Sequence, residues 1–177
     1  MIFGRKYADY TRLFYATDLH GSDICFLKTL NAGKLYEANA IIVGGDLTGK
    51  KVIFLLRNDD GSYTTRFLGQ DCHPKNVQEV EELERKIANS GFYPYRSTQV
   101  EVDELSNNVS SMDELFENLC TERLRRWCSI AKERLRQTDI KIYMTGGNDD
   151  GFYIEPVLRE DGFVIDPEDA VVKIDEH

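Results

Sequence analysis

The stretch RLFYATDLHGSDICFLKTLNAGKLYEANAIIVGGD, residues 12–46, decides the fold of this chain. Residues 12–17 and 38–43 are short apolar runs without polar alternation, which predicts strands covered on both faces. Between them, Ser22 can cap a helix that begins near Asp23 and carries apolar residues at helical spacing. A strand, a helix and a strand within about 30 residues predict a right-handed βαβ unit with parallel strands.

Further strands and helices extend this unit towards the carboxyl terminus. Two β-prone runs flank Asp60-Gly61, a strong turn signal, and therefore predict a β-hairpin. Residues 140–144 predict a third strand of the parallel sheet. The other predictions are hairpin strands at 51–57 and 62–68, helices at 74–89, 112–137 and 152–158, an aromatic loop at 91–96, and β-prone runs at 163–165 and 170–174. The sequence thus predicts an α/β protein.

Side chains that commonly bind metals follow each of the three predicted parallel strands. Asp18 and His20 follow the first strand, Asp46 follows the second, and Asn148 follows the third. Because ligand sites in open parallel sheets lie at the carboxyl ends of the strands, we expect these four side chains at one edge. Glycine pairs before Asp46 and Asn148 allow tight turns and close backbone approach to a bound group. Carboxylate, imidazole and amide oxygen together suit Mn²⁺, Fe²⁺ or Zn²⁺.

Three short motifs carry a resemblance to a known family. The sequences DLH (residues 18–20), GD (45–46) and GN (147–148) resemble, in order and strand context, the first three motifs of the calcineurin-like metallophosphoesterases. The resemblance covers residues 12–150 and implies a four-layer α/β/β/α sandwich. It also implies a hydrolase of phosphate esters, with two metal ions about 4 Å apart that hold the phosphate and activate a water.

The resemblance implies a role for each residue of the site. Asp18 and His20 would bind the first metal, Asp46 would bridge both metals, and Asn148 would bind the second. Asp149 stands where the family usually has a histidine that protonates the leaving group or steadies the phosphate. Asn148 and Asp149 are therefore the candidate catalytic residues. Because a carboxylate is a poor acid near neutral pH, we expect a substrate with a good leaving group or a different proton donor.

Two further departures from the family concern the rest of the chain. The family's later histidine motifs, including a Gly-His-x-His, are absent, and His73 and His177 match them neither in position nor in context. Asp46 and Asn148 are separated by 102 positions, far more than a simple βαβ return requires. We therefore expect an insertion at about residues 50–138, which carries the hairpin and additional helices.

The missing motifs predict an incomplete sandwich. We expect residues 1–177 to form one metallophosphoesterase-like domain, the amino-terminal part of a phosphoesterase that a carboxyl-terminal half completes. A strand at 170–174 would then lie at an exposed sheet edge. Because such edges recruit other strands, we expect pairing with the missing half or self-association there.

Charge and hydropathy exclude several classes of protein. The chain has 22 Lys and Arg against 31 Asp and Glu, a net charge of −9, and no global field that would attract nucleic acid or an anionic membrane. Bound metals would supply the positive potential that a phosphate needs. The longest apolar run, residues 52–56, is far too short to cross a membrane. Without a signal peptide, we expect a cytoplasmic location and four buried, reduced cysteines.

Two other functions stay open. The chain can be a non-catalytic binding or scaffold module that keeps the fold with a degenerate metal site. It can also be a nucleotide-binding α/β domain, although neither G-x-G-x-x-G nor G-x-x-x-x-G-K-[ST] occurs. For a phosphoesterase, the partner is a phosphorylated small molecule or a nucleotide, and monoesters, diesters and phosphoproteins all remain open as substrates.

Overall fold

The computed structural model describes residues 10–174, which fold into eight strands and five helices. In chain order these elements are β1 (Leu13–Ala16), α1 (Asp23–Leu35), β2 (Ala40–Gly44), β3 (Val52–Arg57), β4 (Tyr63–Phe67), β5 (Gln70–Cys72), α2 (Val77–Asn89), β6 (Tyr93–Ser97), α3 (Gln99–Ser106), α4 (Val109–Leu135), β7 (Lys141–Thr145), α5 (Ile154–Arg159) and β8 (Val164–Ile165). The strands form two four-stranded sheets. The predicted α/β class is confirmed.

The first sheet is parallel and has the strand order β1-β2-β7-β8. The predicted βαβ unit is confirmed, and Ser22 caps α1 by accepting the Cys25 N–H at 3.3 Å. Along the chain, β2, β7 and β8 each join the sheet next to the preceding strand and in the same direction. Right-handed connections between such strands place their helices on one face of the sheet. On that face, Ile41, Val43 and Ile142 pack with buried side chains of α1, α4 and α5.

The opposite face of the parallel sheet is only partly covered. Leu13 and Tyr15 of β1 point to this face and are 49% and 62% exposed. Ile42 of β2 is half-buried, whereas Tyr143 of β7 is buried. The Tyr143 hydroxyl has no hydrogen-bond partner within residues 10–174. Parallel sheets normally have both faces covered, so an exposed face is unusual. We call this surface the open face; it consists of Leu13, Tyr15, Ile42 and Tyr143.

The second sheet is mixed and has the order β5-β4-β3-β6. The predicted hairpin of β3 and β4 is confirmed. The predicted loop at 91–96 is wrong, because Tyr93–Ser97 forms β6, which pairs in parallel with β3. Gly91 and Pro94 favoured a loop, but β6 is an edge strand, where proline is tolerated. Helix α2 covers this sheet, and the two elements share a separate apolar core.

The parallel sheet ends at β8, and the segment that follows it forms no strand. The prediction of a strand, and of an exposed sheet edge, at residues 170–174 is wrong. Val171 is fully exposed, and Lys141 donates a hydrogen bond from Nζ to the Ile174 carbonyl at 2.7 Å. A β-prone run without a neighbouring strand gains no ladder hydrogen bonds, so it does not form a strand on its own.

Helix α4 links the two parts of the molecule. Its carboxyl-terminal half contributes an apolar stripe to the core of the parallel sheet, as its three-and-four spacing predicted. Trp127 of this stripe stacks on Phe26 of α1 with ring centres 4.5 Å apart. This half of α4 lies within the predicted insertion at 50–138 but packs in the first core. Within residues 10–174, no helix has both the length and the apolar character of a membrane span.

The four cysteines are free and differ in burial. Cys120 and Cys128 of α4 are buried, as predicted, and Cys72 is half-buried. The prediction is wrong for Cys25, which is exposed because α1 turns Phe26 towards the sheet and leaves its neighbour outside.

Candidate metal centre

Three loops meet at the carboxyl ends of the parallel strands. They follow β1, β2 and β7 and carry the residues that the sequence analysis singled out. Backbone hydrogen bonds join the first two loops beyond the end of the sheet. Asp18 N–H donates to the Gly45 carbonyl at 3.2 Å, and His20 N–H donates to the Asp46 carbonyl at 2.8 Å. Continued pairing between these loops therefore fixes the positions of Asp18, His20 and Asp46 relative to one another.

Asp18, His20 and Asp46 bring their side chains together. Each offers one ligand atom, and these atoms lie within 4.8 Å of one another. The His20 Nε2 atom lies 3.7 Å from the Asp18 Oδ1 atom. The other ring nitrogen, His20 Nδ1, is buried and has no hydrogen-bond partner in the part of the chain described here. The structure thus assembles three of the four predicted metal ligands.

The backbone of these three residues adopts an uncommon conformation. Asp18, His20 and Asp46 have φ angles of 58°, 44° and 51°, in the left-handed region. Such angles are uncommon in residues other than glycine, although Asp and His adopt them more often than most; they cost of order 1–3 kcal/mol each and tend to cluster at functional sites. Three such residues whose side chains converge therefore support a functional role for this cluster, independently of any resemblance.

Asn148 and Asp149 lie on the third loop, next to Asp46. The Asp149 N–H donates to Asp46 Oδ1 at 3.2 Å, so the backbone brings this loop against the cluster. The Asn148 side-chain amide donates to Asp149 Oδ1 at 2.9 Å. The structure therefore places the loop of Asn148 beside Asp46, with the Asn148 side chain hydrogen-bonded to Asp149.

Two glycines allow the second and third loops to approach closely. A β-carbon on Gly147 would overlap the Asp46 carboxylate and its backbone nitrogen. Gly45 has a φ of 115°, and a β-carbon there would lie 3.0 Å from the Gly147 Cα atom. These glycines thus allow one loop to approach another, whereas their close approach to a bound group stays a prediction.

The sequence analysis missed Asp150, which joins the second and third loops. Its Oδ2 atom accepts the Leu47 N–H and the Gly147 N–H, both at 2.9 Å. Its Oδ1 atom accepts the Thr48 N–H at 2.8 Å and the Thr48 hydroxyl at 2.6 Å. Asp150 holds the loop of Asp46 against the loop of Asn148.

Lys50 is a second residue of this site that the sequence did not indicate. Among the ion pairs of residues 10–174, it is the one cation that pairs with Asp149. Its Nζ atom lies 2.8 Å from Asp149 Oδ2. This hydrogen bond and charge attraction raise the pKa of Lys50, and Asp46 and Asp18 raise it further from a greater distance. The same hydrogen bond lowers the pKa of Asp149, with a small contribution from His20. Asp149 is therefore a carboxylate at neutral pH.

A buried arginine supports the loops from behind. Arg123 of α4 is 5% exposed and donates to the Gly21 carbonyl at 2.5 Å and to the Phe92 carbonyl at 2.8 Å. Its guanidinium lies 4.2 Å from the centre of the Tyr93 ring, whose hydroxyl accepts the Gly49 N–H at 2.8 Å. Burial lowers the pKa of Arg123, although nearby Asp23 opposes this shift. Arg123 and Tyr93 thus hold residues adjacent to His20 and Lys50.

The cluster fits a divalent cation. Two carboxylates and an imidazole supply the oxygen and nitrogen donors that Mn²⁺, Fe²⁺ and Zn²⁺ accept. The buried His20 Nδ1 atom lacks a partner among the described residues, and such atoms are rare in proteins unless an ion or water satisfies them. No family model, no curated protein and no solved structure matches this chain.

Proposed function

We propose that this chain carries a divalent-metal site for the hydrolysis of phosphate esters. The observation that supports the proposal most strongly is the convergence of Asp18, His20 and Asp46, each with a left-handed backbone, at the end of a parallel sheet. The resemblance of the three motifs to the calcineurin-like metallophosphoesterases agrees in residue type and in order. The chemical classes of substrate that fit are phosphorylated small molecules and nucleotides.

The proposed reaction transfers a phosphoryl group to water. The oxygen of a water molecule forms a bond to phosphorus and gives up a proton, the bond from phosphorus to the ester oxygen breaks, and the leaving oxygen takes a proton from the solvent. The metals, when bound, would stabilise the charge of the phosphoryl group and lower the pKa of the attacking water. In this proposal Asp18 and His20 would hold the first metal, Asp46 would contribute to both metal sites, and Asn148 would hold the second metal.

Asp149 has a different role from that of the family's histidine. Its lowered pKa makes it a carboxylate at neutral pH, so it does not protonate a leaving group. Its contacts are with Lys50 and with the Asn148 amide. We therefore assign Asp149 the positioning of these two side chains. The proposed substrates are esters whose leaving group departs without help from an acid.

Beyond the α/β class, we propose that the complete fold is a four-layer α/β/β/α sandwich. The open face supports it, because Leu13 and Tyr15 remain exposed on a parallel sheet that has its helices on the other face. We propose that a further sheet covers the open face and brings the histidine ligands that this cluster lacks. On this proposal, residues 10–174 hold metal weakly by themselves and hydrolyse esters slowly, because three or four ligands leave the coordination incomplete.

The second candidate function is a binding or scaffold module with a degenerate metal site. One observation favours it: Lys50 already places a positive charge near Asp46 and Asp18, where a second metal would otherwise balance these carboxylates. In this case the chain would bind no divalent metal, and no ester hydrolysis would depend on Asp46.

Hydrolysis of a nitrophenyl phosphodiester with and without Mn²⁺ tests the proposed function. We expect slow hydrolysis that requires Mn²⁺ and that Asp46→Asn abolishes. Asp59→Asn, an equal change of charge in an exposed hairpin turn, is the matched control and should retain the activity. Equal Mn²⁺ content in the wild type and Asp46→Asn would contradict the assigned ligands. No Mn²⁺ binding at any concentration, and no hydrolysis that depends on Asp46, would favour the scaffold module.

A further inference from the structure

We propose that Lys50 binds the phosphoryl group of the substrate, by exchanging its ion pair with Asp149 for one with a phosphoryl oxygen. This inference rests on the proposed function and names a residue that neither the motifs nor the resemblance includes.

Neighbouring residues hold the backbone beside Lys50 in place, whereas the Lys50 side chain is largely exposed. The preceding residue, Gly49, donates its N–H to the Tyr93 hydroxyl, and its Cα packs so closely on Gly91 that a β-carbon would overlap the Gly91 carbonyl. The Lys50 side chain itself is 63% exposed. A fixed backbone with a free four-carbon side chain allows the ammonium group to move a few ångströms while staying at the site.

The site carries several negative charges, which a nearby cation would partly offset. Asp18, Asp46 and Asp149 are three carboxylates that would repel a phosphate dianion as it approaches. Lys50 lies 2.8 Å from Asp149 and within electrostatic reach of the other two. A lysine at this position offsets part of the repulsion and offers up to three N–H donors to phosphoryl oxygens.

The ion pair of Lys50 and Asp149 is suited to exchange. Both side chains are substantially exposed, at 63% and 35%, and exposed ion pairs contribute little stability, so their separation costs little. A phosphate dianion carries twice the charge of Asp149 and more acceptor oxygens. Without a substrate, Asp149 keeps the ammonium group at the site. With a substrate, the phosphoryl group takes the place of Asp149 as its partner.

Calorimetric titration of the Mn²⁺-loaded protein with inorganic phosphate tests the inference. We expect Lys50→Ala to bind phosphate about tenfold more weakly, as the loss of one charge-assisted hydrogen bond at an exposed site implies. Lys51→Ala removes the same charge from the neighbouring exposed residue and is the matched control, which should bind phosphate as the wild type does. Lys50→Arg should retain most of the affinity.

Two further measurements separate phosphate binding from a purely structural role. Asp149→Asn removes the competing carboxylate and should tighten phosphate binding more when Lys50 is present than in the Lys50→Ala variant, which a purely structural ion pair would not do. Lys50→Ala should bind Mn²⁺ at least as tightly as the wild type, because a cation near Asp46 and Asp18 is removed. Weaker Mn²⁺ binding by Lys50→Ala would overturn the assignment, since Lys50 would then act through the metal ligands.

The outcomes distinguish this inference from the proposed function. If the wild type binds Mn²⁺ and hydrolyses the ester, but Lys50→Ala and Lys51→Ala bind phosphate equally, the inference on Lys50 is wrong and the proposed function stands. If the wild type binds no Mn²⁺, the proposed function is wrong. In that case, phosphate titration of the metal-free protein tests whether Lys50 binds phosphate. Equal phosphate affinities of the wild type and Lys50→Ala would overturn this role.

Discussion

Replacement of Asp150 by alanine should destabilise the protein strongly, although Asp150 lies outside both apolar cores. Its carboxylate accepts four hydrogen bonds, from the N–H groups of Leu47, Thr48 and Gly147 and from the Thr48 hydroxyl. Hydrogen bonds to charged groups contribute about 1.5–3 kcal/mol each. In the alanine variant the N–H groups would lose their acceptor and remain half-buried, which adds part of their desolvation cost. Since the four bonds share one acceptor group, their contributions are not additive.

We therefore expect Asp150→Ala to lower the free energy of unfolding by about 3–4 kcal/mol. Asp150→Asn keeps one acceptor oxygen and should lose about half as much. Urea denaturation measures both values, and an unchanged dependence on urea concentration would show that the native state remains compact. Asp59→Ala, at an exposed turn, is the control and should change stability by less than about 0.5 kcal/mol. A loss of under about 1 kcal/mol for Asp150→Ala would refute the role of Asp150 in joining the loops.

Three other changes test further parts of the structure. Arg123→Met should lower the free energy of unfolding by about 3 kcal/mol, because two backbone carbonyls lose a buried donor; an effect within 1 kcal/mol in urea denaturation would contradict this. Cys25 should react with iodoacetamide at pH 8 in the native protein, whereas Cys128, whose pKa burial raises to about 12, should react only after unfolding; rapid native labelling of Cys128 would contradict its burial. Gly147→Ala should weaken Mn²⁺ binding, because the new methyl group overlaps both the carboxylate and the backbone nitrogen of Asp46 and forces this ligand to move. Unchanged affinity in a Mn²⁺ titration would show that this contact is not needed.

The βαβ unit at residues 12–46 was predictable because its signals are local. The two apolar runs specify strands, and Ser22 marks the start of the helix between them. The convergence of Asp18, His20 and Asp46 followed from topology, since parallel strands bring their carboxyl ends to one edge. Their left-handed backbone conformation was not predicted, because Asp and His adopt it more often than most residues but still at a minority of positions, and the geometry of the loops decides where.

The errors concern elements whose structure depends on distant partners. Strand β6 forms because β3, about 40 positions earlier in the chain, offers a free edge, and this outweighs the loop signals of Gly91 and Pro94. Residues 170–174 have similar β propensity but no neighbouring strand, so they form none. Lys50 and Asp150 went unnoticed for the same reason, since their roles come from contacts across about 100 positions.

The central claim is that Asp18, His20 and Asp46 bind a divalent cation. Anomalous X-ray diffraction at the manganese absorption edge, on crystals of the protein grown with Mn²⁺, locates such an ion directly. We expect an anomalous peak with oxygen atoms of Asp18 and Asp46 and a ring nitrogen of His20 at about 2.0–2.3 Å. Crystals of Asp46→Ala, grown under the same conditions, should show no such peak. A wild-type structure without a peak among these three side chains, at saturating Mn²⁺, would contradict the metal site and the phosphoesterase function built on it.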